Sequence, residues 1–211
     1  MPVGDDVELV GALRRGDEAA FRRVVVEHHA GLVRTARGYV ATQGAAEEVA
    51  QDTWLAVIRG IDRFECRSSF KTWLFHIAVN QARTRATREA RTLPMGVGDD
   101  DDGPSVPANR FLGLDHPRWP RHWCAEPTDW GLLPEQVVDS AATRQLIDAT
   151  IAAMPLLQRQ VVTMRDIEGL TANEVCDVLE ISPSNQRVLL HRARSKLRAQ
   201  LEAHLQGVST A

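Results

Sequence analysis

The apolar positions of this chain recur at helical spacing almost from its start, and nowhere do they alternate as a strand would. Leu9, Ala12 and Leu13 share one face. After Gly16 and Asp17 a longer run carries Phe21, Val24, Val25, His28, Leu32 and Ala36, punctuated by Gly38 and Gly44. Residues 45–64 predict the next helix, with Ala50, Trp54, Val57, Ile58 and Ile61 as its buried stripe. Glu48, Gln51, Asp52, Leu55 and Arg59 lie opposite. That side is either an ordinary wet face or a docking surface for a partner helix. Residues 63–69 (RFECRSS) break the pattern as a loop. Residues 70–91 resume it, with Phe70, Trp73, Leu74, Ile77 and Ala78 inward and Arg83, Arg85, Arg88 and Arg91 gathered in the second half. A helix that is aromatic at one end and arginine-rich at the other suits stacking on bases and pairing with phosphates, although Phe70 and Trp73 taken alone read as core residues.

Helical period returns from Pro134, through Val137, Ala141, Leu146, Ile147, Ile151 and Met154, and again in Val161, Val162, Met164 and Ile167 of a short helix over 156–168. The stretch 169–197, GLTANEVCDVLEISPSNQRVLLHRARSKL, carries the sharpest local signals. Thr171 followed by Glu174 is a capping box. The short helix it opens has Val175, Val178 and Leu179 on one side and stops near Ile181. Ser182 can cap a second helix, and Pro183 in its first turn lacks an N–H that would be unpaired there anyway. That helix contains Arg187, Arg192, Arg194, Lys196 and Arg198, with no Asp or Glu between Ser182 and Gln200. Two short helices joined by a tight turn, the second basic, describe a helix-turn-helix whose second helix enters a DNA major groove. A solvated basic face on a helical hairpin has the same composition.

Charge and composition refine this picture. The net charge of −3 over 211 residues hides a split: residues 92–133 hold 3 Lys/Arg against 7 Asp/Glu, while the flanking stretches are nearly balanced. Positive charge clustered where phosphates lie permits DNA binding by a mildly acidic chain. Residues 92–133 show no helical period, contain Pro94, Pro104, Pro107 and the acidic run 99–102, and read as a linker. Phe111, Trp119, Trp123 and Trp130 suggest that the linker docks on something. His116, His122 and Cys124 match no standard metal-ligand spacing, so no metal is expected. Cys66, Cys124 and Cys176 form no CxxC pair and fit a reducing compartment. No signal peptide or run of 18 apolar residues occurs, which predicts a soluble cytoplasmic protein without membrane insertion. Phosphate-loop, HExxH and GxSxG motifs are absent, and the expectation is of no catalytic residue and no cofactor. The fold expected is all-α, with helical domains at 1–91 and 134–206, a linker at 92–133 and a tail at 207–211. The ends, 1–6 and 207–211, should fray.

Specific residues then resemble a known family. GDEAAF (16–21), EEVAQDTW (47–54) and IDRFECRSSFKTWLFHIAVNQAR (61–83), followed by MPLLQRQVVTMRDIEGLTANEVCDVLEIS (154–182) and LLHRARSKLR (189–198), are similar to the bacterial RNA polymerase sigma factors of the extracytoplasmic-function, or group IV, type. The resemblance implies a factor that binds polymerase core and directs promoter-specific initiation for a stress- or signal-responsive regulon. It assigns Glu48, Gln51, Asp52 and Leu55 to core binding, with Glu48 where members usually carry Asp. It assigns the loop before residue 70 and the helix through Asn80 to capture of a flipped minus-ten base. Glu65, Arg67, Ser68 and Asn80 are the polar candidates there, and Arg83, Arg85 and Arg88 would hold phosphates of the melted non-template strand. The family interpretation makes Trp73 a core residue.

In the C-terminal part the resemblance assigns minus-thirty-five duplex recognition to Ser184, Asn185, Arg187, Val188, His191 and Arg192. Arg187 could read a guanine edge and Val188 touch a thymine methyl. Here the chain departs from the common Gly-Thr-Val-Lys-Ser-Arg pattern, and Gln186 takes the place of a usually buried Val, on the seam with Leu190, Ala193 and Leu197. Either its amide is satisfied in the core or the helix rotates slightly. Membership also implies an anti-sigma partner and a linker that runs through the polymerase. A conventional dimeric helix-turn-helix regulator is the alternative; it leaves the pattern over 45–91 without a purpose.

Overall fold

The computed structural model describes residues 4–92 and 141–209. Among the described residues every regular element is helical: α1 (Gly4–Arg14), α2 (Glu18–Ala36), α3 (Gln43–Gly60), α4 (Phe70–Thr92), α5 (Ala141–Ala152), α6 (Leu156–Val162), α7 (Ala172–Leu179) and α8 (Pro183–Ser209). A 3-10 turn, Ile61–Arg63, follows α3, and a π-helical turn, Thr163–Ile167, follows α6. The expected acidic linker, its aromatic residues and His116, His122 and Cys124 lie outside the described residues, as does Val137.

Short side chains set the helix starts. The Asp17 carboxylate accepts from the backbone N–H of Ala19 and Ala20 at 2.9 and 3.1 Å, opening α2. Thr42 does the same for α3 through the Ala45 N–H, so α3 begins two residues before the expected position and Gly44 falls inside it rather than before it. The capping box of Thr171 and Glu174 is complete, with bonds of 2.8 and 3.3 Å. α7 ends where Glu180 turns left-handed at φ 60, and Ser182 caps α8 through the Asn185 N–H at 3.2 Å. Helix reaches into both stretches expected to fray, since α1 starts at Gly4 and α8 runs through Ser209.

The described residues gather into two compact units. One comprises the N-terminal helices with Gln160–Gln186, and the other holds α5, the residues up to Arg159 and those from Arg187 onward. In the first unit α4 packs against α2, α3 and α7. Because it is covered from several sides, its buried arc is wider than one stripe. Phe75, Val79 and Ala82 join Phe70, Leu74 and Ala78 at no more than 1% exposure, whereas Trp73 and Ile77, expected inward, are half-buried. Burying one such large apolar side chain is worth about 1.5–3 kcal/mol, so Phe70, Leu74 and Phe75 anchor α4 in this unit.

Two further expectations fail for geometric reasons. Ile58 is 54% exposed, because α3 buries Ala46, Val49, Ala50, Thr53, Trp54 and Val57 and the arc ends there. Ile167 is 44% exposed: the π turn bonds the Glu168 N–H to the Thr163 carbonyl, and the extra residue shifts the helical phase by one position. In the second unit α5 buries Thr143 and Ile151, with Met154 just beyond it, while Ala141 faces solvent.

Candidate nucleic-acid and partner interfaces

The outer face of α3 is fixed by what its inner face does. Trp54 is buried edge-on against Phe21, with ring centroids 5.8 Å apart, and its indole N–H donates to His29 Nδ1 at 3.3 Å. His29 Nε2 meets the Glu47 carboxylate at 3.0 Å, and Glu47 in turn accepts from Gln43 at 3.0 Å. The tautomer with its proton on Nε2 satisfies both bonds of the imidazole. This chain of contacts sets the rotation of α3 and leaves Glu48, Gln51, Asp52, Leu55 and Arg59 exposed together. Ile58 joins them, so Leu55 and Ile58 make an apolar pair one helical turn apart, at 48% and 54% exposure. A cleft lined by Leu13, Phe21, Val57, Ile58 and Ile61 continues the apolar surface toward α1.

The loop over 64–69 is held at both ends. Phe64 is buried and stacks on Trp73 with centroids 4.6 Å apart, and the Arg14 guanidinium donates to the carbonyls of Ile61, at 3.2 Å, and Phe64. Arg14 is a clamp that helical periodicity does not reveal. Cys66, at φ 54, turns the chain so that Glu65 and Arg67 project into solvent, ion-paired to each other, with Ser68 half-buried beside them. Ser69 caps α4 by accepting the Thr72 N–H at 3.1 Å.

Along α4, Asn80 is exposed, with its amide nitrogen 3.2 Å from His76 Nδ1. The three arginines proposed to hold phosphates differ. Arg83 donates to the Leu179 carbonyl at 3.0 Å and meets Glu180 at 3.2 Å. Arg85 lies between Glu48 at 2.7 Å and Glu89 at 2.9 Å. Arg88 is exposed. Arg83 and Arg85 are therefore each occupied by carboxylates of the chain itself, one of them from the outer face of α3.

Glu174 does more than close its capping box. Its second oxygen accepts from Ser69 Oγ at 2.8 Å and Thr72 Oγ1 at 2.6 Å. Desolvation raises its pKa, but hydrogen bonds from Thr72, from the Thr171 backbone and side chain, and from Ser69 outweigh that and lower it from 4.5 to about 2. His28, buried in α2 close to Glu27, Lys71 and Glu168, is held below its ordinary value chiefly by desolvation. Among the described residues no cluster of three or more His, Cys, Asp or Glu could hold a metal ion.

On α8, Ser184, Asn185, Arg187, Val188 and His191 are exposed, Arg192 is half-buried, and Leu190 and Ala193 are buried. Gln186 is buried at 2% exposure on that seam, and its amide nitrogen has no hydrogen-bond partner among the described residues. The helix is therefore not rotated to bring Gln186 out. The amide nitrogen stays in the core without a partner among the described residues, at a cost of about 1–3 kcal/mol.

The family model for sigma-70 region 2 matches residues 24–92, and that for sigma-70 region 4 matches residues 144–197. The chain belongs to the sigma-70 family. It is 26% identical over 192 residues to the ECF RNA polymerase sigma-E factor of Salmonella typhimurium strain LT2, covering 91% of this chain and 92% of the relative. To the RNA polymerase sigma-H factor of Pseudomonas aeruginosa it is 26% identical over 196 residues, covering 91% of each. Among solved structures, the fold is similar to CnrH in complex with the cytosolic domain of CnrY, with a TM-score of 0.56, 21% identity and coverage of 94% of this chain and 97% of that one. It is also similar to the sigma factor RpoE from Bartonella quintana in complex with the anti-sigma factor NepR, with a TM-score of 0.57, 19% identity and coverage of 86% and 96%. This sigma-70 chain is an extracytoplasmic-function factor, which binds RNA polymerase core and directs promoter-specific initiation. A conventional dimeric regulator does not account for a region 2 over residues 24–92.

Proposed function

We propose that the factor grips polymerase and promoter at three places on its chain. The outer face of α3, Glu48, Gln51, Asp52 and Leu55 with Ile58 added, docks on the core. The loop over 64–69 with Asn80 takes a flipped minus-ten base, through Glu65, Arg67 and Ser68, and Arg83, Arg85 and Arg88 track the melted strand. Ser184, Asn185, Arg187, Val188, His191 and Arg192 read the minus-thirty-five duplex. Residues 1–91 and 134–206 are the working domains, 92–133 the linker and 207–211 a tail. The protein is non-catalytic and cytoplasmic and serves a stress- or signal-responsive regulon. Its similarity to the sigma factor RpoE, solved in complex with the anti-sigma factor NepR, supports regulation by an anti-sigma partner. Within the described residues no helix is long and apolar enough to cross a membrane.

The observation that carries this reading is the exposed Leu55–Ile58 pair, set among acidic and amide side chains on a helix whose other side is locked. Large apolar groups in water at that density mark a partner surface. Exchanging both for serine should weaken binding to purified core polymerase about tenfold or more, the range of a central interface anchor, while helicity by circular dichroism stays unchanged. Undiminished core affinity in the double variant would move the docking face elsewhere.

A further inference from the structure

The loop that carries Glu65, Arg67 and Ser68 holds a conformation it would not keep by itself. Cys66 has φ 54, in the left-handed region that a residue with a Cβ enters only at a cost. No glycine lies between Phe64 and Ser69 to take that turn instead. Such a conformation persists where the chain on either side of it is held by other contacts.

On the far side the hold is local. Ser69 caps α4 by accepting the Thr72 N–H at 3.1 Å, and Phe70 is buried at 1% exposure. On the near side the hold comes from α1. The Phe64 N–H donates to the Ile61 carbonyl at 3.2 Å, and the same carbonyl accepts Arg14 Nε at 3.2 Å, so both of its lone pairs are used. Arg14 Nη2 donates to the Phe64 carbonyl, the last peptide oxygen before Glu65. One planar fork therefore fixes two carbonyls, a geometry that a lysine ammonium does not reproduce. The fork stands at the end of α3 and its 3-10 extension, where the helix dipole favours a cation. The Phe64 ring is set separately, by its stack on Trp73. A Cβ on Gly60 would lie 3.4 Å from that indole, so α3 ends against the same ring.

Arg14 itself is carried by the last turn of α1, which Val10 and Leu13 anchor by burial. It precedes residues 24–92, the part matched to region 2, so the family match gives it no role. We propose that Arg14 is a positioning residue for minus-ten recognition. Without touching DNA, its guanidinium orients the Phe64 peptide so that Glu65, Arg67 and Ser68 present their polar atoms to the flipped base. This rests on the proposed placement of minus-ten recognition on that loop. Helix α1 thereby sets the selectivity of strand opening as well as covering the core.

The test uses the full chain bound to purified core. Arg14→Met keeps the apolar stem and a good helix former but removes every donor. Arg14→Lys keeps the charge and a single donor group. Arg15→Met, one position on, is the control, and a loop variant exchanges Glu65, Arg67 and Ser68 together for alanine. Discrimination is the ratio of dissociation constants for single-stranded non-template oligonucleotides that carry either the promoter's own minus-ten base or another at the position the wild type reads most strongly. The promoter is located by mapping starts. Hydrogen exchange of the free chain, followed by mass spectrometry, reports the hold on the amides of residues 64–69.

Arg14→Met should speed exchange over residues 64–69 and lower discrimination about three- to tenfold, the worth of one well-made hydrogen bond to the base. Core affinity should stay at the wild-type value, and Arg15→Met should match the wild type throughout. Arg14→Lys should fall between Arg14→Met and the wild type, a partial rescue that a merely structural role does not produce. Unchanged exchange in Arg14→Met would show that the guanidinium does not hold the loop. Faster exchange with full discrimination, while the loop variant loses it, would show a hold that positions nothing. A parallel fall in core affinity would make Arg14 a general support of the fold. Each of these three results overturns the proposal. Full discrimination by the loop variant would instead strike at the minus-ten placement, and the role given to Arg14 would fall with it.

Discussion

Glu174 shows how one side chain can serve two levels of structure. One oxygen completes the N-terminal cap of α7, and the other accepts two hydroxyl protons from the start of α4. The carboxylate must be ionised to accept them all. Since its folded pKa lies near 2 and below the ordinary 4.5, it contributes stability that is fully present above pH 4.5 and lost as pH falls toward 2. Thr72→Val should remove about 1–2 kcal/mol at neutral pH, the worth of a hydrogen bond to a charged group, or roughly 2–4 °C in melting temperature per kcal/mol. The gap between the two melting curves should persist at pH 3 and close only as pH falls through about 2; a gap unchanged well below that would mean that the hydroxyl stabilises the fold by packing alone. His28 acts in the same direction at higher pH. Held neutral by burial beside Glu27, Lys71 and Glu168, it contributes stability present above 6.5 and lost as pH falls through its lowered value.

At the scale of elements, the recognition helix α8 is the place where inward and outward faces most need to be told apart. Burial of Gln186, Leu190 and Ala193 leaves Arg187 and Val188 turned outward, with Val188 48% exposed. If Arg187 is bidentate to a base, Arg187→Ala should cost about 1–3 kcal/mol of discrimination at one position of the upstream element. Competition between promoters differing at that position is the measurement, and a uniform loss across all of them would make Arg187 a phosphate contact. Periodicity anticipated α8 and α7 well, because their caps and apolar seams are local. It misjudged α3 and α4 at their edges. Ile58, Phe75 and Val79 are apolar residues whose side was decided by how many neighbours cover each helix, which is not encoded in a single helix's period.

For the whole molecule, initiation separates into holding the core and opening the strands, and the proposed residues divide accordingly. Asn80 is exposed on α4 and is not one of the residues proposed for core docking, so Asn80→Ala should leave core affinity unchanged and reduce strand opening severalfold. Permanganate reactivity of unpaired thymines in the start region, measured at saturating factor, checks this. Normal reactivity together with weakened core binding would reverse the roles given to α3 and α4.

The sequence by itself determined the all-helical class, the starts of α4, α6, α7 and α8, the capping box, the basic recognition helix and the family, because each rests on spacing or motif within one short segment. It also placed Glu48, Gln51, Asp52 and Leu55 on one face. Tertiary structure alone decided that Ile58 extends that face, that Arg14 clamps the loop, that Arg85 pairs with Glu48, and that Gly31 and Gly38 make room for Glu168 and Gln160. The physical reason is distance along the chain. Arg34 and Glu168 are separated by 134 residues, and Ser69 and Glu174 by 105, so nothing in either neighbourhood specifies the other. A local pattern can say that a carboxylate caps its own helix. Only the packed chain reveals which second helix start that carboxylate also holds.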